Sequence, residues 1–200
     1  MLSPEAKQNL IANYRERLIR YKSGPSVGQW AAVESQTIRF NQLMKLGDFN
    51  DQTVLDFGCG LGDFYPVLLE RFPRIKYSGI DLVPEIIECA KGRFPSLHFE
   101  CRDVLERPLI RQYDYVLMSG IFNNDVPDPT DYLKAVVQHG FEAADRALAF
   151  NFISNHTEQM EGLSYHDPAD ILEFCIENLS PKVTIFHHYA RNDVCVFVHR

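Results

Sequence analysis

From residue 53 onward, short apolar runs alternate with longer stretches of helical spacing. Strands are expected at 53–57, 76–81, 97–101, 113–119 and 146–153, each a compact apolar run bounded by polar or turn-forming residues. Apolar residues three and four apart predict helices at about 63–72, 84–93, 130–143 and 168–178. The connection at 106–112 is too short for a good helix. The last two runs, 183–189 and 194–198, are joined only by Ala190-Arg-Asn-Asp193. A link that short permits an antiparallel hairpin but not a parallel crossover. A helical pair precedes the alternation. Ser3-Pro4-Glu5 reads as an N-cap with Pro at the first helical position, and Leu10, Ile11, Tyr14, Leu18 and Tyr21 form an apolar stripe toward Lys22. After a break at 23–28, a second helix is expected over roughly Gln29 to Leu46, bearing Trp30, Val33, Phe40, Leu43 and Met44. The pattern predicts an α/β fold, a Rossmann-like three-layer sandwich whose seven-stranded sheet is mainly parallel with an antiparallel last strand. The chain reads as a single domain, with 1–48 a helical extension and 49–200 the core. In such a sheet the ligand crevice lies at the carboxyl ends of the strands. The extension is placed to fold across it as a lid, or else to pack on the sheet's flank.

One stretch carries the chemistry. Thr53–Asp63 runs from a buried strand into glycines at alternate positions, Gly58, Gly60 and Gly62, and on into the helical spacing of 64–72. Glycine is needed where the backbone turns tightly and a ligand lies close against it. The dinucleotide pattern G-x-G-x-x-G fails at Asp63, and a P-loop fails because no Gly-Lys follows. Asp56 stands at the end of the strand. A carboxylate there repels a pyrophosphate and suits a ligand with an amino group. Asp81 closes the second strand 23 residues past Gly58 (81 − 58), near the separation at which an acid accepts hydrogen bonds from a ribose diol. Its other reading is an N-cap for the helix opened by Pro84-Glu85, for which it sits a little early. Asp103 follows the third strand in Cys-Arg-Asp-Val.

The run Asp56-x-Gly58-x-Gly60-x-Gly62, followed in order by Asp81, Asp103 and the closing hairpin, resembles the class I S-adenosylmethionine-dependent methyltransferases from about Thr53 to Arg200. The tryptophan-bearing helix, Ser119-Gly-Ile-Phe-Asn, Ala149-Phe-Asn-Phe and the Asp167-Pro168 helix start resemble small bacterial members of that family that act on small molecules. Phe57 departs from the family motif, which has a small or polar residue there. The resemblance implies S-adenosyl-L-methionine as cofactor. Asp56, Gly58, Cys59 and Gly60 would hold it in the loop, Asp81 and Leu82 at the ribose and adenine, and Asp103 with the backbone of Val104 at the adenine. Ser119 would lie beside the methionine part, and Arg39, on one helix face with Gln36, would meet the cofactor carboxylate if the extension is a lid. Acceptor contacts are expected from Trp30, Phe122, Asn123, Asn151, Tyr165 and His166, with His166 the one candidate general base. The implied activity is methyl transfer to an oxygen or nitrogen of a small-molecule acceptor by in-line displacement. Two alternatives stay open. One is a non-catalytic S-adenosylmethionine-binding subunit. The other is a NAD-dependent oxidoreductase, which the missing third glycine and the hairpin end oppose. Residues 119–122 match neither the Asn/Asp-Pro-Pro-Tyr/Phe stretch of adenine-N6 and glutamine methyltransferases nor the Pro-Cys of cytosine-C5 enzymes.

Composition narrows the partners. The 200 residues carry a net charge of −7, which argues against a nucleic-acid partner. Arg15, Arg17, Arg20 and Lys22 read as a solvated helix face. The 5 cysteines are odd in number and form no CxxC pair, as expected of reduced core residues in a cytoplasmic protein. No run approaches the ~18 apolar residues of a membrane helix, and 1–5 has neither the basic start nor the apolar block of a signal peptide, so no membrane association is expected. No metal is expected either. Asp125 and Asp128 are available, but Asn151 stands at the strand end where a catechol-type site needs an acid.

Overall fold

The computed structural model describes residues 2–28 and 33–200. Trp30, expected on the second helix, lies outside the described residues, as do its neighbours at 29, 31 and 32. The strands β1 (Thr53–Phe57), β2 (Lys76–Asp81), β3 (His98–Cys101), β4 (Tyr113–Met118), β5 (Ala144–Ile153), β6 (Val183–His187) and β7 (Asp193–His199) form one sheet in the order β3-β2-β1-β4-β5-β7-β6. The pairs among β1 to β5 are parallel, whereas β7 runs antiparallel to both β5 and β6. The short link before Asp193 thus closes the sheet as a hairpin.

The helices are α1 (Pro4–Tyr21), α2 (Val33–Leu43), α3 (Phe64–Arg71), α4 (Pro84–Arg93), α5 (Pro129–Glu142) and α6 (Pro168–Asn178). Two begin as their sequences dictate. Ser3 Oγ accepts from the Ala6 amide at 3.1 Å, and Asp167 accepts from the Ala169 amide at 2.8 Å, each with Pro in the first turn. No helix lies between β3 and β4. β5 starts two residues earlier than its sequence pattern predicts. Helix α5 ends directly before it, and the Tyr113 amide already bonds Ala143 O at 2.9 Å.

Alternation along the strands builds the layers. Leu55 and Phe57 point to one face and pack with Leu133, Val137 and Phe141 of α5 and Ile171 of α6. Val54 points to the other, with Leu43 of α2, Leu68 of α3 and Ile87 of α4. Helix α2 is fixed by the Phe40 ring stacked on Phe64 at 4.1 Å. No residue of α1 is fully buried. Its stripe packs through Ile11, Tyr14 and Leu18 onto Val27, Leu61, Val83 and Ile86, while Tyr21, expected in the stripe, stays 39% exposed. Helix α1 therefore crosses the carboxyl edge of the sheet from outside. It is pinned by Lys7 to Asp103 at 2.6 Å and by Arg15 to Glu85 at 2.7 Å. Helix α1 lies over the strand ends, whereas α2 packs on the sheet's flank through Phe40 and Leu43.

Candidate active site

Strand order reverses between β1 and β4, and a crevice opens there at the carboxyl ends of the strands. It holds about 1360 Å³ of empty space, its open mouth included. Its floor is the turn after β1. Gly58 and Gly60 sit at φ +77° and +54°, in the left-handed region that costs other residues dearly. A Cβ on Gly58 would lie 2.2 Å from Ile121 Cγ2, so the loop after β4 presses on this turn. A Cβ on Gly60 would meet nothing within 4 Å, because that side faces the crevice.

Asp81 bridges the wall and the floor. Its carboxylate accepts from the Gly60 amide at 3.0 Å and from the Val83 amide at 3.0 Å, one oxygen each. Each oxygen keeps a lone pair for a ligand hydroxyl. Burial raises its pKa, and the backbone N–H groups oppose the rise. The N-cap of α4 is Val83, without a side-chain cap bond, so Asp81 is not the cap. Asp56 is 2% exposed, and burial pushes its pKa up to about 7, helped by the charges of Asp81 and Asp63 and opposed by the Tyr77 hydroxyl bonded at 2.7 Å. Burial likewise raises the Cys59 thiol. Leu82 and Val104 line the same wall. Asp103 lines it too, with one oxygen on the Leu105 amide at 3.0 Å and the other facing Lys7. Ser119 lies across the crevice, and its buried Oγ has no hydrogen-bond partner.

The remaining expected residues do not meet there. Arg39 is absent from the lining; it pairs with buried Asp193, while Gln36 on the same helix does reach the crevice. His166 is 1% exposed, with Nε2 3.1 Å from Phe122 O and Nδ1 3.2 Å from Thr130 Oγ1. Burial lowers its pKa, and it ties the segment before α6 to the loop after β4 without touching the crevice. Phe122 is core, edge-on to Phe150 at 6.0 Å. Asn151 accepts from the Gly120 amide at 2.7 Å and supports the wall from behind. Asn123 O accepts from the Ser164 amide, and Tyr165 Oη from the Met160 amide; neither residue lines the crevice. The lining also includes residues that sequence reasoning left unassigned, chiefly Leu10 and Tyr14 of α1, Phe40 of α2 and Tyr132 of α5. The Tyr14 hydroxyl donates to Asn124 Oδ1 at 3.1 Å, and burial raises its pKa to about 12. The stripe on α1 was the available signal for Leu10 and Tyr14.

The donor set fits a cationic nucleoside. A ribose-ready carboxylate, an unpartnered serine hydroxyl and a second buried acid face an open glycine turn. A pyrophosphate would meet Asp56 and Asp63 instead of the N–H groups and third glycine that such a group needs.

A methyltransferase-domain family matches residues 55–140. A Mycobacterium tuberculosis protein provisionally assigned as a methyltransferase is 27% identical over 158 residues, 74% of this chain and 93% of that one. The malonyl-[acyl-carrier protein] O-methyltransferase of Acetivibrio thermocellus is 30% identical over 132 residues, 62% of this chain and 45% of the relative. The chain spans about half the length of this relative and of the malonyl-[acyl-carrier protein] O-methyltransferase of Ilyobacter polytropus. Among solved structures, the magnesium protoporphyrin IX methyltransferase of Synechocystis with bound S-adenosylmethionine has a TM-score of 0.71 at 17% identity, covering 99% of this chain and 98% of that one. The DhpI–SAM–HEP complex gives a TM-score of 0.73 at 14% identity over 100% of both chains. These structural likenesses establish a shared fold.

Proposed function

We propose that this chain is a class I S-adenosylmethionine-dependent methyltransferase that transfers a methyl group to an oxygen or nitrogen of a small-molecule acceptor, a reading supported by the methyltransferase-domain match and the shared fold. The observation that carries the reading is Asp81, tied to the Gly60 amide across the mouth of the glycine turn. The cofactor supplies a methyl already activated by its sulfonium charge. The chain's task is then to align the acceptor with that methyl at ~3 Å and to exclude water. In this reading Asp81 takes the ribose diol and Asp56 the α-amino group. Asp103 turns from Lys7 to the adenine amino group, beside the Val104 backbone and Leu82. Ser119, Cys59 and the glycines line the methionine arm. The lid closes the site through Leu10 and Tyr14. The chain acts as one methyltransferase domain, 1–48 serving as lid and 49–200 as cofactor core, in a cytoplasmic setting supported by its five free cysteines. Among the described residues, no helix is long and apolar enough to cross a membrane.

Calorimetric titration with S-adenosylmethionine, S-adenosylhomocysteine and NAD in parallel tests the reading. Binding of the first two at about micromolar Kd, with no heat from NAD, is expected. Binding of NAD alone, or of none of the three, would sink it.

The same titration carries a pH prediction. Asp56 titrates at about 7 in the fold. Below that value it is neutral and cannot pair with an ammonium group; above it the carboxylate is charged and can. Affinity for S-adenosylhomocysteine should therefore rise with pH and level off above about 7, changing by up to about tenfold per unit below it. In Asp56→Asn the curve should be flat. A wild-type curve that is already flat would remove Asp56 from the amino-group role.

A further inference from the structure

We infer that Gln36 of α2 receives the α-carboxylate of the cofactor and so fixes its methionine end; this rests on the methyltransferase reading above. The crevice has a direction. Strands β3, β2 and β1 are consecutive in the sheet, and the lining follows them: Asp103 beyond β3, Asp81 at the end of β2, and Asp56 with the glycine turn at the end of β1. A nucleoside whose adenine meets Asp103 and whose ribose meets Asp81 therefore carries its amino-acid end to the turn. There the amino group has Asp56. The carboxylate beside it needs a donor of its own, because an unpaired charge is costly away from water.

Gln36 stands at that end. The Phe40 ring, one helical turn further along α2, stacks on Phe64 at 4.1 Å, and Phe64 opens α3 directly after the turn. Gln36 shares the face of Phe40. Both line the crevice together with Leu61, Asp63 and Phe64. Among the described residues, none bonds the Gln36 side-chain amide, so its N–H groups are available to a ligand.

The cations are engaged elsewhere. Arg39, on the same helix, is held by buried Asp193. Arg102 and Lys7 lie at the adenine end, the first on Glu100 at 2.7 Å and the second between Asp103 and Glu106. Arg93 approaches the turn from α4, but it does not line the crevice. It meets Asp63 at 2.7 Å and Leu61 O at 2.6 Å. Its charge offsets that of Asp63, which would otherwise repel the carboxylate. Helix α3 starts at the same point and turns the positive end of its dipole toward it. Residues 29–32 are Gln-Trp-Ala-Ala and bring no charge. The carboxylate is thus held by directed N–H bonds from an uncharged amide, in place of the arginine that the sequence offers for the role.

Paired ligands and paired variants test this in calorimetry at about pH 8, above the titration of Asp56. The ligands are S-adenosylhomocysteine and its analogue with hydrogen in place of the α-carboxyl group. The wild-type chain should bind the analogue at least about tenfold more weakly. Gln36→Leu should weaken S-adenosylhomocysteine at least about tenfold and leave the analogue within about twofold, so that the gap between the two closes. Gln36→Glu sets a second carboxylate against the first. It should weaken S-adenosylhomocysteine further still, while the analogue binds no less tightly than to wild type. Should Gln36→Leu not fold, Gln36→Glu decides by the same comparison. Three results would each overturn the inference: a loss of the same factor for both ligands, equal wild-type affinity for the two, or a variant that keeps wild-type affinity for S-adenosylhomocysteine. In all three, wild-type binding of S-adenosylhomocysteine leaves the methyltransferase reading standing. No binding of it by the wild-type chain would instead bring down that reading.

Discussion

Asp81→Ala should weaken S-adenosylhomocysteine binding at least about 100-fold in calorimetry while the protein stays folded. Two effects add. The carboxylate offers a lone pair on each oxygen to a vicinal diol, and hydrogen bonds to a charged group are worth roughly 1.5–3 kcal/mol each. The same carboxylate receives the Gly60 amide at 3.0 Å, so its removal also frees the glycine turn from the end of β2. Asp81→Asn separates them. An amide oxygen can still accept from Gly60 or Val83, but it carries no charge and one side now donates, so an intermediate loss of about tenfold is expected. Unfolding should barely respond. Burial raises the pKa of Asp81, so its charged form is a cost to the empty fold that removal relieves. A variant that binds S-adenosylhomocysteine as tightly as wild type would show that Asp81 serves only the turn.

The reach and the limit of sequence reasoning can be read from such residues. The position of Asp81 was legible because it is set by local spacing: a glycine turn, a helix and a strand of ordinary length bring it to the crevice. The antiparallel close of the sheet was legible because a short link leaves the chain no other geometry. Helix α1 was half legible. Its stripe fixes which side is covered, but not what covers it, and Leu10 and Tyr14 reach the crevice only because α1 crosses the strand ends. Gln36 and Arg39 share a helix face, yet only Gln36 lines the crevice. Arg39 is claimed by Asp193, 154 residues away (193 − 39), and nothing local announces that partner. His166 looked reactive because histidine titrates near neutral pH. Its packing against Phe152 at 5.6 Å and its bond to Thr130, distant in sequence, make it a brace instead. Residues whose work depends on long-range partners were the ones misplaced.

Arg39→Met should cost about 3–5 kcal/mol of stability, close to the largest loss a single side-chain change produces here. Asp193 is 1% exposed, and its ion pair with Arg39 joins α2 to the start of β7. The carboxylate also takes the Tyr189 hydroxyl at 2.9 Å and the Asn151 amide at 3.2 Å. Those two neutral donors do not balance a full buried charge once the guanidinium is gone, and the penalty falls on the stranded carboxylate. For a domain of this size each kcal/mol moves Tm by about 2–4 °C, so a fall of roughly 10 °C is expected in thermal unfolding. Arg39→Met/Asp193→Asn should recover most of it, because the amide removes the charge and still bonds its neighbours. That ordering, with the double variant more stable than the single, distinguishes a stranded charge from simple loss of packing, for which the double variant would be no better. The consequence reaches the active site. Asn151, bonded to Asp193, holds the Gly120 amide at 2.7 Å, and α2 carries Gln36 and Phe40 into the crevice. The single variant should therefore also weaken S-adenosylhomocysteine binding several-fold, and the double variant should restore binding along with Tm. If the single variant melts within about 2 °C of wild type, the pair is not the strut that joins α2 to the sheet.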